Sequence, residues 1–105
     1  MMAESARAGA LKALQEIPGI GPSLARDLVD LGYRRVGQLR RADPGRMYEK
    51  LMALRGEPID RCVLYVFRCA VYYAGRAAHD PELLKWWNWK DGGIARRPAL
   101  TRRPR

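Results

Sequence analysis

A chain of 105 residues has room for one compact domain and no more. Apolar residues make up 48% of it, enough for a core, which sets general disorder aside. The formal net charge is +9, yet residues 92–105 hold five arginines (Arg96, Arg97, Arg102, Arg103, Arg105) and no acid, so residues 1–91 carry only +4.

The composition thus divides the chain into a helical body, 1–91, and a basic tail, 92–105, expected to be disordered. Such a tail either adds reach toward a polyanion through counterion release or is simply a solvated end. No apolar run approaches the ~20 residues of a membrane span, and the first residues, MMAESARAGALKAL, lack a secretory pattern. The expected location is cytoplasmic, with no membrane partner. Cys62 and Cys69 are seven apart on one expected helix, roughly 10.5 Å along its axis. A disulfide needs Cα atoms within about 7 Å, so nothing points to an oxidising compartment.

In chain order, Ser5 can cap a first helix reaching about Gln15, with Ala8, Leu11 and Leu14 on one face. Two prolines and two glycines within Ile17–Pro22 end it. Pro22 and Ser23 open a second helix with Leu24, Leu28 and Leu31 inward, and Gly32 is a natural stop. Val36 to Arg41 reads as a short third helix. Asp43-Pro44 starts the next, to Arg55, burying Met47, Leu51 and Leu54, and Gly56 ends it. Pro58 begins the longest helix, to about Arg76. Its wide apolar face includes Ile59, Cys62, Val63, Val66, Phe67, Ala70 and Ala77. An opposite stripe carries Arg61, Tyr65, Arg68, Tyr72 and Arg76. Asp80-Pro81 opens a short helix bearing Trp86, Trp87 and Trp89. No strand alternation is present. The expected fold is all-α, with five to six helices, a long central helix and a short Trp-rich C-terminal one.

The most informative segment is Ile17-Pro18-Gly19-Ile20-Gly21-Pro22-Ser23-Leu24-Ala25. Glycine allows a backbone to approach a ligand closely, and a helix start offers free N–H groups with a partial positive charge. Gly19, Gly21 and Leu24 would present backbone, and Ser23 a hydroxyl. Arg26 would reach a neighbouring phosphate one turn on, while Ile17 and Ile20 would pin the turn to the core. Arg34 and Arg35, with Arg40 and Arg41, either extend that phosphate-binding surface or form a solvated one. Asp27 and Asp30 oppose attraction to a duplex.

This segment resembles the helix-hairpin-helix motif, whose hairpin reads apolar-x-Gly-apolar-Gly, and is similar to the lyase-domain hairpin of family X DNA polymerases. The resemblance implies a SAM-domain-like helical bundle. It also implies a monovalent cation held by the backbone carbonyls of Gln15, Ile17 and Ile20. The second half, around Ala42-Asp43-Pro44-Gly45, lacks paired glycines and reads as a structural counterpart. Through the segments Leu14–Pro22, Asp60–Tyr65 with Phe67–Tyr73, and Pro81–Asp91, residues 10–91 further resemble a bacterial family of pathogenicity locus proteins, some called mitomycin resistance proteins.

The Arg/Tyr stripe either binds nucleic acid or packs beneath the Trp-rich helix, the second being favoured. The three tryptophans cannot share one face, so one should lie near the surface. Cys62, Cys69 and His79 lack the close pairing of a zinc site, and the two thiols read as buried. His79 has no visible catalytic partner. The sequence therefore reads as no enzyme, without a small-molecule substrate or any cofactor beyond that cation. The favoured function is sequence-independent DNA binding through the hairpin, linked to DNA repair or stress resistance, while the family resemblance itself implies no established biochemical activity. The alternative is a protein-interaction or self-association module built on the same helices.

Overall fold

The computed structural model describes residues 2–91, with side chains from residue 6 onward; the expected disordered tail, 92–105, lies outside them. Among the described residues every regular element is helical. Four α-helices span Met2–Leu14 (α1), Pro22–Asp30 (α2), Pro44–Arg55 (α3) and Arg61–Gly75 (α4). Three short 3₁₀ helices span Val36–Leu39 (η1), Pro81–Leu84 (η2) and Trp86–Trp89 (η3). No described helix is long and apolar enough to cross a membrane.

The count of five to six helices is therefore corrected to four α-helices and three 3₁₀ turns. The Trp-rich segment is not one helix. Lys85 between η2 and η3 is extended, at φ −91° and ψ 111°. Trp89 donates its indole N–H to the Leu83 carbonyl at 2.7 Å, and Asn88 donates to the Glu82 carbonyl at 2.7 Å. These side-chain bonds satisfy carbonyls that a continuing α-helix would have used.

The other boundaries move for similar reasons. Ser5 lies inside α1 rather than at its cap. The central helix begins at Arg61, not Pro58, because Asp60 accepts the Cys62 amide at 2.8 Å and caps it there. Gly32 and Gly56 have φ of +106° and +72°, the left-handed stops expected after α2 and α3.

The core gathers Leu14 and Ile17, Ala25 and Leu28 of α2, Leu39 of η1, Leu51 of α3, and Phe67 and Ala70 of α4. α1 packs on α2 and α3 on α4, and α4 also carries η1 and η3. Truncating fully buried Phe67 to alanine would cost about 3–5 kcal/mol. Four expected core residues face out: Ala8, Leu54, Cys62 and Ala77 are exposed. Ala10 and Tyr48 are buried instead, and the Tyr48 hydroxyl donates to the Ile59 carbonyl. Cys62 faces out in the first turn of the shortened α4. Cys69 is buried, and burial pushes its thiol up to about 11.

Candidate nucleic-acid interface

α1 ends in a chain of tight turns. The amides of Gln15, Glu16 and Ile17 bond back three residues, and Ile20 N–H donates to the Ile17 carbonyl at 3.0 Å. Ile17 and Ile20 are buried, which pins this turn to the core as their apolar character requires. The two glycines between and after them then have different tasks.

Gly19 has φ +89°, a conformation side chains rarely adopt. A Cβ there would also stand 3.1 Å from Cδ1 of Trp86. So Gly19, although exposed, is needed by the fold, and its backbone is packed against an indole from η3. Gly21 is the N-cap of α2, with ordinary extended backbone at φ −95° and ψ −170°. A Cβ there would meet nothing within 4 Å. Neither conformation nor packing requires glycine at position 21.

The α2 start is left open. Pro22 supplies no N–H, Gly21 supplies no capping side chain, and the first bond is Ala25 N–H to the Gly21 carbonyl at 2.9 Å. Among the described residues nothing accepts from the amides of Ser23 and Leu24. Ser23 and Arg26 are exposed, whereas the Leu24 side chain packs against the core and offers only its backbone.

The two acids of α2 are engaged. Arg55, at the end of α3, reaches Asp27 at 2.6 Å and Asp30 at 2.8 Å, and Arg7 of α1 stands 3.5 Å from Asp30. The hydrogen bond from Arg55 holds the Asp30 carboxyl below its ordinary value. Their negative charge is thus partly balanced beside Arg26. Glu16 accepts a hydrogen bond from the Tyr73 hydroxyl at 2.7 Å, tying the turn to α4.

Arg34 and Arg35 lie in the link before η1, both exposed. Their amides donate to Gln38 Oε1 at 2.6 and 2.9 Å, so one side chain fixes the link. The spacing of Gln38, three residues after Arg35, resembles a capping box and was readable in the sequence. The roles of Arg55 and Trp86 had no local signature, since both act across the fold.

The Arg/Tyr stripe of α4 is a packing seam. Arg61 and Arg68 reach Asp91 at 2.8 and 3.1 Å, and Arg68 donates to the Trp89 carbonyl at 2.8 Å. Tyr72 packs on Trp89 with centroids 5.4 Å apart and accepts the Asp80 amide at 2.7 Å. Arg76 lies over the Tyr72 ring at 5.4 Å. His79 stacks on Tyr73 at 4.7 Å, its Nε2 2.8 Å from the Tyr73 carbonyl. Trp87 is the surface tryptophan, 52% exposed.

Over 76 residues the chain is 32% identical to a mitomycin resistance protein, McrB, of Streptomyces lavendulae, covering 72% of this chain and 69% of that one. No solved structure matches the chain. The family described as pathogenicity locus matches residues 7–93, from α1 through η3. That match takes in part of α1 and all of the later packed elements, and the chain belongs to the pathogenicity locus family.

Proposed function

We propose that the chain is a DNA-binding module that holds the phosphate backbone without sequence preference. It would do so through a helix-hairpin-helix unit made of α1, the turns at 15–21 and α2. The observation that carries this reading is the uncapped start of α2. Aspartates cap the α-helices that follow α2 and the 3₁₀ turn after them: Asp43 on α3, Asp60 on α4 and Asp80 on η2 each accept amides of their own first turn. At α2 the cap is Gly21, where a Cβ would meet nothing within 4 Å, and the amides of Ser23 and Leu24 have no acceptor among the described residues.

A phosphate oxygen placed there takes those N–H bonds in a favourable helix-end field. The Ser23 hydroxyl adds a donor, Arg26 reaches the next phosphate, and Arg34 and Arg35 extend the positive surface. No base edge is read, so binding is blind to sequence. Gly19 contributes by shaping the turn. The carbonyls of Gln15 and Ile20 accept no amide among the described residues, and that of Ile17 keeps one lone pair. These three would hold a monovalent cation, which would help neutralise the phosphate. The reading assigns no reaction. The name of the Streptomyces relative makes mitomycin resistance the process to examine, and DNA repair or stress resistance is the setting a duplex-binding module would fit.

A second reading, a protein-interaction module, is favoured by the exposure of Trp87 and Leu54. It calls for salt-tolerant association. The first reading requires log affinity to fall linearly with log salt concentration. A labelled random-sequence duplex, titrated at several salt concentrations with the full chain and with a folded 1–91 truncation, separates them. Salt-sensitive binding that survives truncation supports the hairpin. Binding lost with the tail alone, or never seen at low salt, makes the hairpin structural and turns attention to protein partners.

A further inference from the structure

A groove of about 700 Å³ opens between the link after α2 and the outer side of α3. Its floor is apolar: Met47 is buried, and Leu31 and Tyr33 are half-buried against the core. Its rim carries Arg41, Arg46 and Lys50, all exposed. None of the three forms an ion pair among the described residues. By contrast, Arg55, Arg61, Arg68 and Lys85 are all paired with carboxylates. Two acids line the groove. Asp43 is turned to the backbone, accepting from the Gly45 and Arg46 amides at 2.9 and 3.3 Å, and with Glu49 it stands against three cations, a formal net of +1.

An apolar floor containing an aromatic ring, a cationic rim and a volume within the ~300–1,000 Å³ of small-molecule sites call for a ligand with a flat ring and an anionic group. We infer that this groove is a nucleotide subsite. It takes one nucleoside phosphate of a nucleic-acid strand, with the base against Tyr33, Leu31 and Met47 and the phosphates on Arg41, Arg46 and Lys50. A strand is favoured over a free nucleotide because the groove is open and its rim continues in sequence into Arg34, Arg35 and Arg40. These are exposed and without ion pairs among the described residues. Aromatic stacking with a cationic track suits a single strand, whose bases are free to leave the stack. The inference rests on the reading that this chain binds nucleic acid, but its contact surface is not the hairpin.

The test is amide NMR of the full chain titrated with a short oligothymidylate, with thymidine monophosphate and with inorganic phosphate. Anisotropy of the labelled oligothymidylate accompanies it. The expected result is that the oligothymidylate shifts amides at Leu31, Tyr33, Arg41, Arg46 and Lys50. Arg46→Glu with Lys50→Glu should weaken its binding by about tenfold or more. Tyr33→Leu, with folding confirmed by circular dichroism, should weaken it about tenfold through lost stacking. Shifts confined to Gly19–Arg26 would overturn the groove and keep the hairpin; shifts confined to the groove would support the subsite, with the hairpin still judged by its duplex titration. Thymidine monophosphate bound as tightly as the oligothymidylate would replace the strand with a free nucleotide. Groove shifts reproduced by inorganic phosphate alone, or binding untouched in the Arg46/Lys50 variant, would overturn the subsite altogether.

Discussion

α2 and α3 both begin with proline at their first position, yet the two starts are finished differently. At α3, Asp43 folds its carboxylate onto the amides of Gly45 and Arg46, so the helix end is closed by its own chain. At α2, Gly21 brings no side chain, a Cβ there would meet nothing within 4 Å, and among the described residues nothing accepts from the amides of Ser23 and Leu24. Glycine at a cap costs only a few tenths of a kcal/mol against aspartate, so leaving α2 open sacrifices little stability. The comparison teaches that an anion site can be made by omission: the same proline start is a closed structural joint in one half and an unfilled set of donors in the other.

The comparison can be broken at several points. The largest effect should come from Gly19→Val, which forces a side chain into φ +89° and against Trp86. We expect a loss of about 1–3 kcal/mol from the backbone strain alone, seen as a lower melting temperature, with a change in tryptophan emission as the indole moves. Asp43→Ala should cost about 1 kcal/mol by opening the α3 start, read as a lower melting temperature. Unchanged stability would mean that the α3 cap matters less than its geometry implies.

Arg55→Ala should leave Asp27 without its guanidinium and Asp30 with Arg7 alone, both close in sequence to Arg26. Duplex binding at low salt should weaken by about threefold, and the difference should shrink as salt rises. Equal binding would show that the acids of α2 do not face the ligand.

The smallest effect concerns acid. The hydrogen bond from Arg61, then that from Arg68, lowers the Asp91 carboxyl from 3.8 to about 2. A carboxyl lowered on folding contributes stability above its unfolded value and loses it as pH falls through the folded one. The tie from α4 to the end of η3 should therefore loosen between about pH 4 and pH 2. Tryptophan emission followed through that window should change in the wild type, and Asp91→Asn should flatten the change.

Much of the fold was legible because helix starts and stops are local. Asp43-Pro44, Asp80-Pro81, Pro22, Gly32 and Gly56 all mark real boundaries, since each acts through its own backbone or its nearest amides. The inward Ile17 and Ile20 were legible for the same reason. Pro58 misled because a proline permits a helix start without requiring one, and Asp60 made a better cap. The Trp-rich segment misled because its conformation is set by indole and amide side chains bonding to carbonyls six residues back. Periodicity does not record such bonds. At the site, the two glycines looked equivalent in sequence. The fold distinguishes them, by the positive φ of Gly19 and by its packing on Trp86, which lies far along the chain. The pairing of Asp27 and Asp30 with Arg55 was hidden likewise.

The most direct measurement replaces Gly21 by asparagine. Its backbone suits a capping residue, and a Cβ there has room. Asparagine can close the α2 start as Asp43 closes that of α3, without adding charge. Melting temperature and affinity for a random-sequence duplex at low salt would be measured together with wild type. The account predicts a variant that melts no lower than wild type and binds the duplex at least about tenfold more weakly, since its amides and the open space above them are filled. A Gly21→Asn protein that is as stable as wild type and binds duplex DNA equally well would contradict the claim that the open start of α2 is the phosphate site.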